Sequence, residues 1–357
     1  MTDQISENYG NSNLLKYVRF PIHQTTEWLE AYKQWYINLS NKKQFSFYSC
    51  IDNKIIGAIP LQLTTNKHFR FLNQRRLEIF GKGPTDFFQP LIDPSFSNIV
   101  INDFSNWLVK NKKKWDIIVL SEIPKSWDGL DSLIDGLESK GFKPSISIHN
   151  GFYYVDTSKS WEDYYEQFIK VNNKDLLKDL RQLARRKITL SLESHRQNVH
   201  QKLLTVLDLY AQRRNTLGQV NSYETEQRKE FVRSVINAYE SRGWVEISFL
   251  KDDLGNIWAF QLDWLMDGIR YHWNHAYNEQ FKKYSPGKLL LFKIMERAFL
   301  TPNEIQCNHM RGKAEYKQKL ANEAEELIEI KIENVFSLRN KIIKIITRFL
   351  QIIKLKH

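Results

Sequence analysis

Cysteine is scarce: 357 residues contain two, Cys50 and Cys307. Two thiols cannot build a disulfide framework or a cysteine zinc site. Long apolar runs are missing as well; no stretch reaches the roughly 20 residues that a membrane-crossing helix needs. The opening MTDQISENYGNSN is polar and has no basic start leading into an apolar run, so it does not read as a signal peptide. Fourteen glycines and nine prolines are too few for a collagen-like or low-complexity chain. What is present is a core: 42% of residues are hydrophobic, 13% aromatic and 26% charged, a composition that buries apolar surface and stays folded. One domain takes about 100–200 residues, so the length points to two. The expectation is a two-domain protein of the cytoplasm, soluble or peripheral on the inner face of the membrane.

The net charge is +11, and it is unevenly placed. From Asn334 to His357 the chain has six basic residues, Arg339, Lys341, Lys344, Arg348, Lys354 and Lys356, and no acid. In the same stretch Val335, Leu338, Ile342, Ile345, Phe349 and Ile352 recur every three or four residues, which is one apolar stripe on a helix. Such a basic amphipathic helix suits an anionic membrane surface. The alternative is a terminal helix packed on the body with solvated charges. A second basic run, KVNNKDLLKDLRQLARRK (170–187), has Leu176, Leu180 and Leu183 on one helical face. Its charges read as a solvated face or as a rim receiving a phosphorylated substrate. No nucleic-acid motif accompanies either run, which argues against nucleic acid as a partner.

Residues 1–15 are expected to lack fixed structure. TTEWLEAYKQWYINLS (25–40) has helical spacing with Thr25 or Thr26 as N-cap. Strands are expected at Phe45–Cys50 and Ile55–Leu63, joined by an Asp52-Asn53 turn. A helix at Ile99–Lys110, a buried strand at Asp116–Leu120 and a helix at Leu130–Lys140, with Gly141 just past its end, complete the first half. Helices follow at 160–187, 199–217 and 224–242, then strands at Glu246–Leu250, Ile257–Leu265 and Ile269–Ala276. This alternation indicates an α/β or α+β layered fold. NKIIGAIPL (53–61) aligns on LGNIWAFQL (254–262), matching Ile56 to Ile257, Ala58 to Ala259 and Leu61 to Leu262. Two related domains would explain it, and so would chance.

The segment richest in chemical possibilities is YHWNHAYNEQFKKYSPGKLLLFKIMERAF (271–299). An aromatic strand runs through a polar loop into a helix at Ser285-Pro286-Gly287-Lys288. Ser285 suits the N-cap, and Pro286 suits the first helical position. Gly287 lets a ligand approach the backbone, and a helix N-terminus offers free N–H groups to an anion. This fits a nucleotide-type cosubstrate such as coenzyme A, though Ser-Pro-Gly also starts ordinary helices. In CNHMRGKAEYKQKLA (307–321), Tyr316 and Lys317 sit near a strand end. A phenol can return a proton to a leaving group and an ammonium can neutralise an oxyanion; the plainer reading is a surface loop with a half-buried Tyr. His275 is the best side-chain base, because an unperturbed imidazole pKa of about 6.5 suits neutral pH. His272 is second, and an offset of three places the two on opposite faces of a strand. Asp263 and Glu315 are weaker alternatives. Cys307 reads as a small buried residue. His272 and His275 lack the context of a metal site, so no metal is expected.

The order of these features resembles the CelD/BcsL-type (BioF2-like) acetyltransferase family. That family belongs to the GNAT superfamily and is related to the FemABX peptidyltransferases. The resemblance rests on WLEAYKQWY, IIGAIPLQL and RRLEIFGKGPTDFFQPLID, then LLKDLRQLARRK with LDLYAQRRNTLG, then GNIWAFQL, YSPGKLLL and GKAEYK (312–317). It covers residues 25–320 and omits the tail. It implies tandem GNAT-like domains, placed here at 16–155 and 156–330, each a mixed twisted sheet flanked by helices; the basic amphipathic helix expected at 331–357 lies outside it. It implies acyl-CoA, acetyl-CoA in the simplest case, bound in the second domain. Ser285, Pro286, Gly287 and Lys288 would line its pyrophosphate, and Gly312, Tyr316 and Lys317 would match the family's Gly-x-x-x-Tyr-Lys. Where the family often has an Asp four residues before that Gly, this chain has Asn308, which cannot act as a base. The implied reaction is N- or O-acylation of a cell-envelope or exopolysaccharide precursor, the acceptor being a small molecule or a lipid- or nucleotide-linked sugar. Two alternatives stand beside it: an aminoacyl-tRNA donor as in FemABX enzymes, with tRNA as the nucleic-acid partner, and a non-catalytic module of this fold.

Overall fold

The computed structural model describes residues 20–38, 42–69 and 72–354. The segment 1–15 lies outside the described residues. Two compact units share the chain, one combining residues up to 150 with those from 326 onward, the other formed by 151–325. The C-terminal segment thus belongs with the first unit instead of standing apart.

In the first unit, Thr25 caps helix α1 (Thr26–Tyr32), its hydroxyl accepting the Trp28 N–H at 3.3 Å. The strand expected over Ile55–Leu63 is two strands. Pro60 has no N–H to give a ladder, and the chain changes sheets there. Strand β1 (Lys43–Gln44) precedes β2 (Phe47–Ile51) and β3 (Lys54–Ile59), and β3 pairs with β2 and with β6 (Leu91–Ile92). Beyond Pro60, β4 (Leu61–Phe69) pairs with β1 and with β5 (Leu72–Ile79). Helix α2 (Ser97–Lys110) then carries the chain to β7 (Ile117–Pro124), which lies parallel to β5. Helix α3 (Leu130–Glu138) follows. The far side of β7 is taken by the C-terminal strand described below.

Gly57 on β3 permits the close approach of α2. A Cβ there would lie 2.2 Å from Val100 Cγ1, and Val100 is fully buried. Gly57→Ala is therefore expected to destabilise the first unit by about 1–3 kcal/mol, read as a lowered midpoint in denaturant; an unchanged midpoint would mean that α2 slides freely on the sheet.

The second unit begins within β8 (Pro144–Asp156). The helix expected over 160–187 is interrupted at Asn173, whose backbone is non-helical and whose amide donates to the Lys319 carbonyl at 2.7 Å. Helix α4 (Lys174–Arg185) resumes after it. Strand β9 (Leu190–His195), helices α5 (Val199–Thr216) and α6 (Glu226–Glu240), and strands β10 (Val245–Asp252), β11 (Ile257–Met266) and β12 (Ile269–Tyr277) follow. Helix α7 (Pro286–Leu300), strand β13 (Gln306–Arg311) and the short helix α8 (Glu315–Leu320) complete the unit. The sheet order is β9-β10-β11-β12-β13-β8. All neighbours are antiparallel except β12 and β13, which are parallel and joined through α7.

Strand β14 (Glu323–Glu333) returns the chain to the first unit, pairing antiparallel with β7, and helix α9 (Leu338–Lys354) ends it. Ile328, Ile330 and Ile332 alternate into the core of that unit, as period-two burial requires. Each unit therefore has one parallel strand pair spanned by a helix, β5-α2-β7 and β12-α7-β13. The short internal repeat falls on equivalent hairpin strands. In both copies a turn with positive φ precedes the strand (Asp52 and Asn53, φ 48° and 62°; Gly255, φ 82°), and Ala58 and Ala259 are both fully buried.

Candidate active site

The β11–β12 hairpin is closed by Asp267-Gly268, with φ of 52° and 77°. Two successive positive φ values make the two-residue turn that matches strand twist. Gly268 is required there, because an added Cβ would meet the Asn303 carbonyl oxygen at 2.5 Å. Counting back from this turn places Arg270 opposite Leu265 and His272 opposite Asp263. At the next step the register slips, so that Leu262 faces Asn274 and Trp273 is the extra residue of a bulge. The bulge removes one alternation. His272 and His275, expected on opposite faces, instead turn to the same side, where each other's charge and that of Lys317 reach His275 and His309.

Asp263 is fully buried and is shared. Its Oδ2 accepts from Arg270 at 2.8 Å and its Oδ1 lies 2.9 Å from His272 Nδ1. An aspartate that accepts from a guanidinium also accepts from the imidazole, which assigns the His272 proton to Nδ1 and the lone pair to Nε2. That Nε2 is buried and has no hydrogen-bond partner. Arg270 is itself fully buried and also meets Glu246 at 2.7 Å and Glu304 at 2.8 Å. Burial alone would raise the Glu246 carboxyl, but the charges of Arg270 and Arg297 outweigh it and bring the group to about 2.

Strands β12 and β13 pair over three rungs only, ending at Tyr271–Asn308. Beyond that rung no further pairing joins the two strands among the described residues. His272 and His309 stack at 5.1 Å between ring centroids. Both His309 ring nitrogens are buried without a partner. Burial first, then the neighbouring His272 and Lys317, hold His309 well below the ordinary imidazole range, so it is neutral. Asn308 stands at the last paired rung with a structural task. Its Oδ1 accepts the Met310 N–H at 2.8 Å, stabilising a kink in which Met310 has φ 61°. A proton-accepting role at this position is not needed to explain the residue.

His275 lies further along β12, past the last rung shared with β13. Its ring contacts Tyr316 edge-on at 5.7 Å. Surrounding protein, then the charges of Lys317, His272 and Arg214, hold it below its ordinary range. The residue is also solvent-exposed, and an imidazole that water reaches loses less basicity than an enclosed one. Burial pushes the Tyr316 phenol up to about 12, which keeps it protonated at neutral pH. Lys317 Nζ donates to the Arg311 and Met310 carbonyls at 2.8 and 3.2 Å, so its ammonium is fixed to the end of β13. Gly312 at this bend has φ 112°, and a Cβ there would lie 3.7 Å from Lys317 Nζ.

The Ser285–Lys288 turn adjoins the same strand. Pro286 opens α7 as expected, but Ser285 sits at the N-cap with φ 49° and makes no side-chain cap. The Lys288 and Leu289 N–H groups both donate to the Ser285 carbonyl. Since Pro286 has no N–H, Gly287 supplies the outward-facing donor of that turn. A Cβ on Gly287 would make one ordinary contact, 3.6 Å to Tyr277 Cδ1. Arg213 stacks over the Tyr277 ring at 4.1 Å and pairs with Glu279. The loop after β12 is a short 3₁₀ helix, Glu279–Tyr284. Glu315 is on the surface, paired with Lys319 at 2.7 Å. Cys307 is fully buried and its thiol is pushed up to about 12 by that burial. Among the described residues no group of three His, Cys, Asp or Glu is arranged to hold a metal ion.

Residues 172–318 match the family model described as an acetyltransferase (GNAT) domain. The match lies wholly within the second unit. The parallel β12–β13 pair lies inside the matched segment. Of the solved structures, FemX is similar with a TM-score of 0.61 and 12% identity, covering 91% of this chain and 94% of that one. A conserved protein of unknown function from Bacteroides thetaiotaomicron is similar with a TM-score of 0.55 and 11% identity, covering 93% and 97%. At such identities the likeness concerns the fold, and it extends over both units. No curated protein matches the chain by sequence.

Proposed function

We propose that the chain is an acyltransferase that moves an acyl group from acyl-CoA to an amine or hydroxyl of a phosphorylated cell-envelope precursor. The observation that carries this reading is the buried Nε2 of His272, unpartnered among the described residues and oriented by Asp263 where β12 and β13 cease to pair. His272 Nε2 takes the proton of the attacking nucleophile as the new C–N or C–O bond forms. Asp263, fixed by Arg270, stabilises the imidazolium without leaving its place. The C–S bond breaks, and the Tyr316 hydroxyl gives its proton to the departing sulfur. Solvent then returns a proton from His272 to Tyr316. His275 is the second candidate for proton acceptor. Arg214 and Lys317 bring positive charge toward His275, which favours an acceptor carrying phosphate.

The test is direct binding of acetyl-CoA and longer acyl-CoAs by calorimetry. Gly287→Trp is expected to abolish binding with the fold retained, since Gly287 faces open space apart from Tyr277. Equal affinity in the variant would remove the donor from this turn. One observation favours a second reading. The first turn of α7 offers a single outward N–H, a thin cradle for a pyrophosphate. An aminoacyl-tRNA donor, as the FemABX resemblance implies, needs no such cradle, and absence of acyl-CoA binding by the unaltered protein would transfer the proposal to it.

A further inference from the structure

Helix α9 is fastened to the first unit by its less apolar face. Ser337 Oγ donates to Asp116 Oδ1 at 2.7 Å, the Asn340 amide donates to the Asp116 carbonyl, and Gln74 donates to Asn340 Oδ1 at 2.8 Å. Ile343 is buried beside them. The stripe that the sequence marks as apolar points the other way. Leu338, Ile342 and Ile345 are 70%, 37% and 67% exposed, and Val335 and Phe336 lead into them at 45% and 56%. The sequence carries the same spacing on to Phe349 and Ile352. Burial would have favoured the reverse orientation had the helix served only to cover its own domain.

The borders of the stripe are basic. Lys341 and Lys344 are exposed, and Lys341 has no ion-pair partner among the described residues. Lys344 pairs with Glu333, and Arg339 lies 3.8 Å from Asp116. The last 24 residues contain no acid. Among the described residues no helix is long and apolar enough to cross a membrane, so this one would lie along a surface. A second copy of the chain is a poor occupant, because it would bring two acid-free basic segments together. We infer that α9 docks flat on an anionic lipid surface, inserting Leu338, Ile342 and Ile345 between the headgroups while the lysines meet the lipid phosphates. The inference does not depend on the transferase reading.

The experiment is co-sedimentation of the full chain with vesicles of mixed phosphatidylglycerol and phosphatidylcholine, and with phosphatidylcholine alone. Binding is expected to the anionic vesicles, about tenfold or more tighter than to neutral ones, and weakened by salt. The double variant Leu338→Asn, Ile345→Asn is expected to lose about tenfold or more in affinity. Both positions are exposed, so the fold should persist, and an unchanged unfolding midpoint checks this. Wild-type affinity in the double variant, or equal binding to neutral vesicles, would overturn the inference. So would a lipid-free dimer that the double variant dissolves, since the stripe would then be an interface between copies.

Discussion

His272→Asn should lower the rate of acyl transfer by about 100- to 10,000-fold, the range a positioned general base contributes. Asparagine places an N–H close to where Nδ1 stands, so the bond to Asp263 can survive, and only the Nε2 lone pair is lost. Acyl-CoA affinity should therefore change little, and the loss should appear in kcat. His275→Asn provides the contrast. If it is the variant that loses kcat while His272→Asn stays active, the proton acceptor is the exposed imidazole of His275 and the Asp263–His272 pair is structural. His309→Phe separates a further possibility. A loss of kcat there as large as at His272 would mean that the stacked pair acts as one unit.

Arg270→Ala should be strongly destabilising, about 3–5 kcal/mol, because it leaves the buried carboxylates of Asp263 and Glu246 around a gap where their shared cation stood. The pH dependence has a defined sign. The Glu246 carboxyl is held at about 2 in the fold against an ordinary 4.5. A carboxyl lowered by folding stabilises above its unfolded pKa, and that stability drains away as pH falls through 4.5 toward 2. A shift of that size corresponds to about 3 kcal/mol. The wild-type protein should therefore lose stability steeply between pH 5 and pH 2. Arg270→Ala should be weaker at neutral pH and show a flatter acid limb. Chemical denaturation at several pH values measures both. A variant as stable as wild type would mean that Arg196 and Arg297, which also reach Glu246, suffice to hold the cluster.

Much of this arrangement was legible in the residues. The hydrophobic periods located α2, α5, α6 and α7 and the three strands β10 to β12 to within a few positions. Local patterns hid the rest. Pro60 reads as part of one apolar strand, yet its missing N–H divides that strand between two sheets. Asn173 sits in a helical period and breaks it through a side-chain bond to Lys319, a partner 146 residues away. The Asp263–His272 pair could have been found by counting outward from Asp267-Gly268, since a two-residue turn fixes the opposite partner of every residue up to the first bulge. The bulge at Trp273 could not, and it reverses the expectation for His272 and His275. His309 lay hidden because β13 joins β12 in parallel, and a parallel register carries no turn from which to count. Arg270 reads as a surface cation; only the convergence of three acids from β10, β11 and the loop before β13 makes it a buried one.

The return of the chain to the first unit sets an order of events during synthesis. Residues 151–325 form a contiguous unit, so every strand of that sheet is available before the first unit is complete. The first unit waits for β14, because Ile328, Ile330 and Ile332 belong to its core and leave the ribosome only after the whole of 151–325. Until then β7 presents an unpaired edge and an open apolar face, the kind of surface that invites association with other chains. A nascent chain stalled before residue 326 would thus hold a finished second unit tethered to an unfinished first one, and quality control would meet it through the N-terminal half.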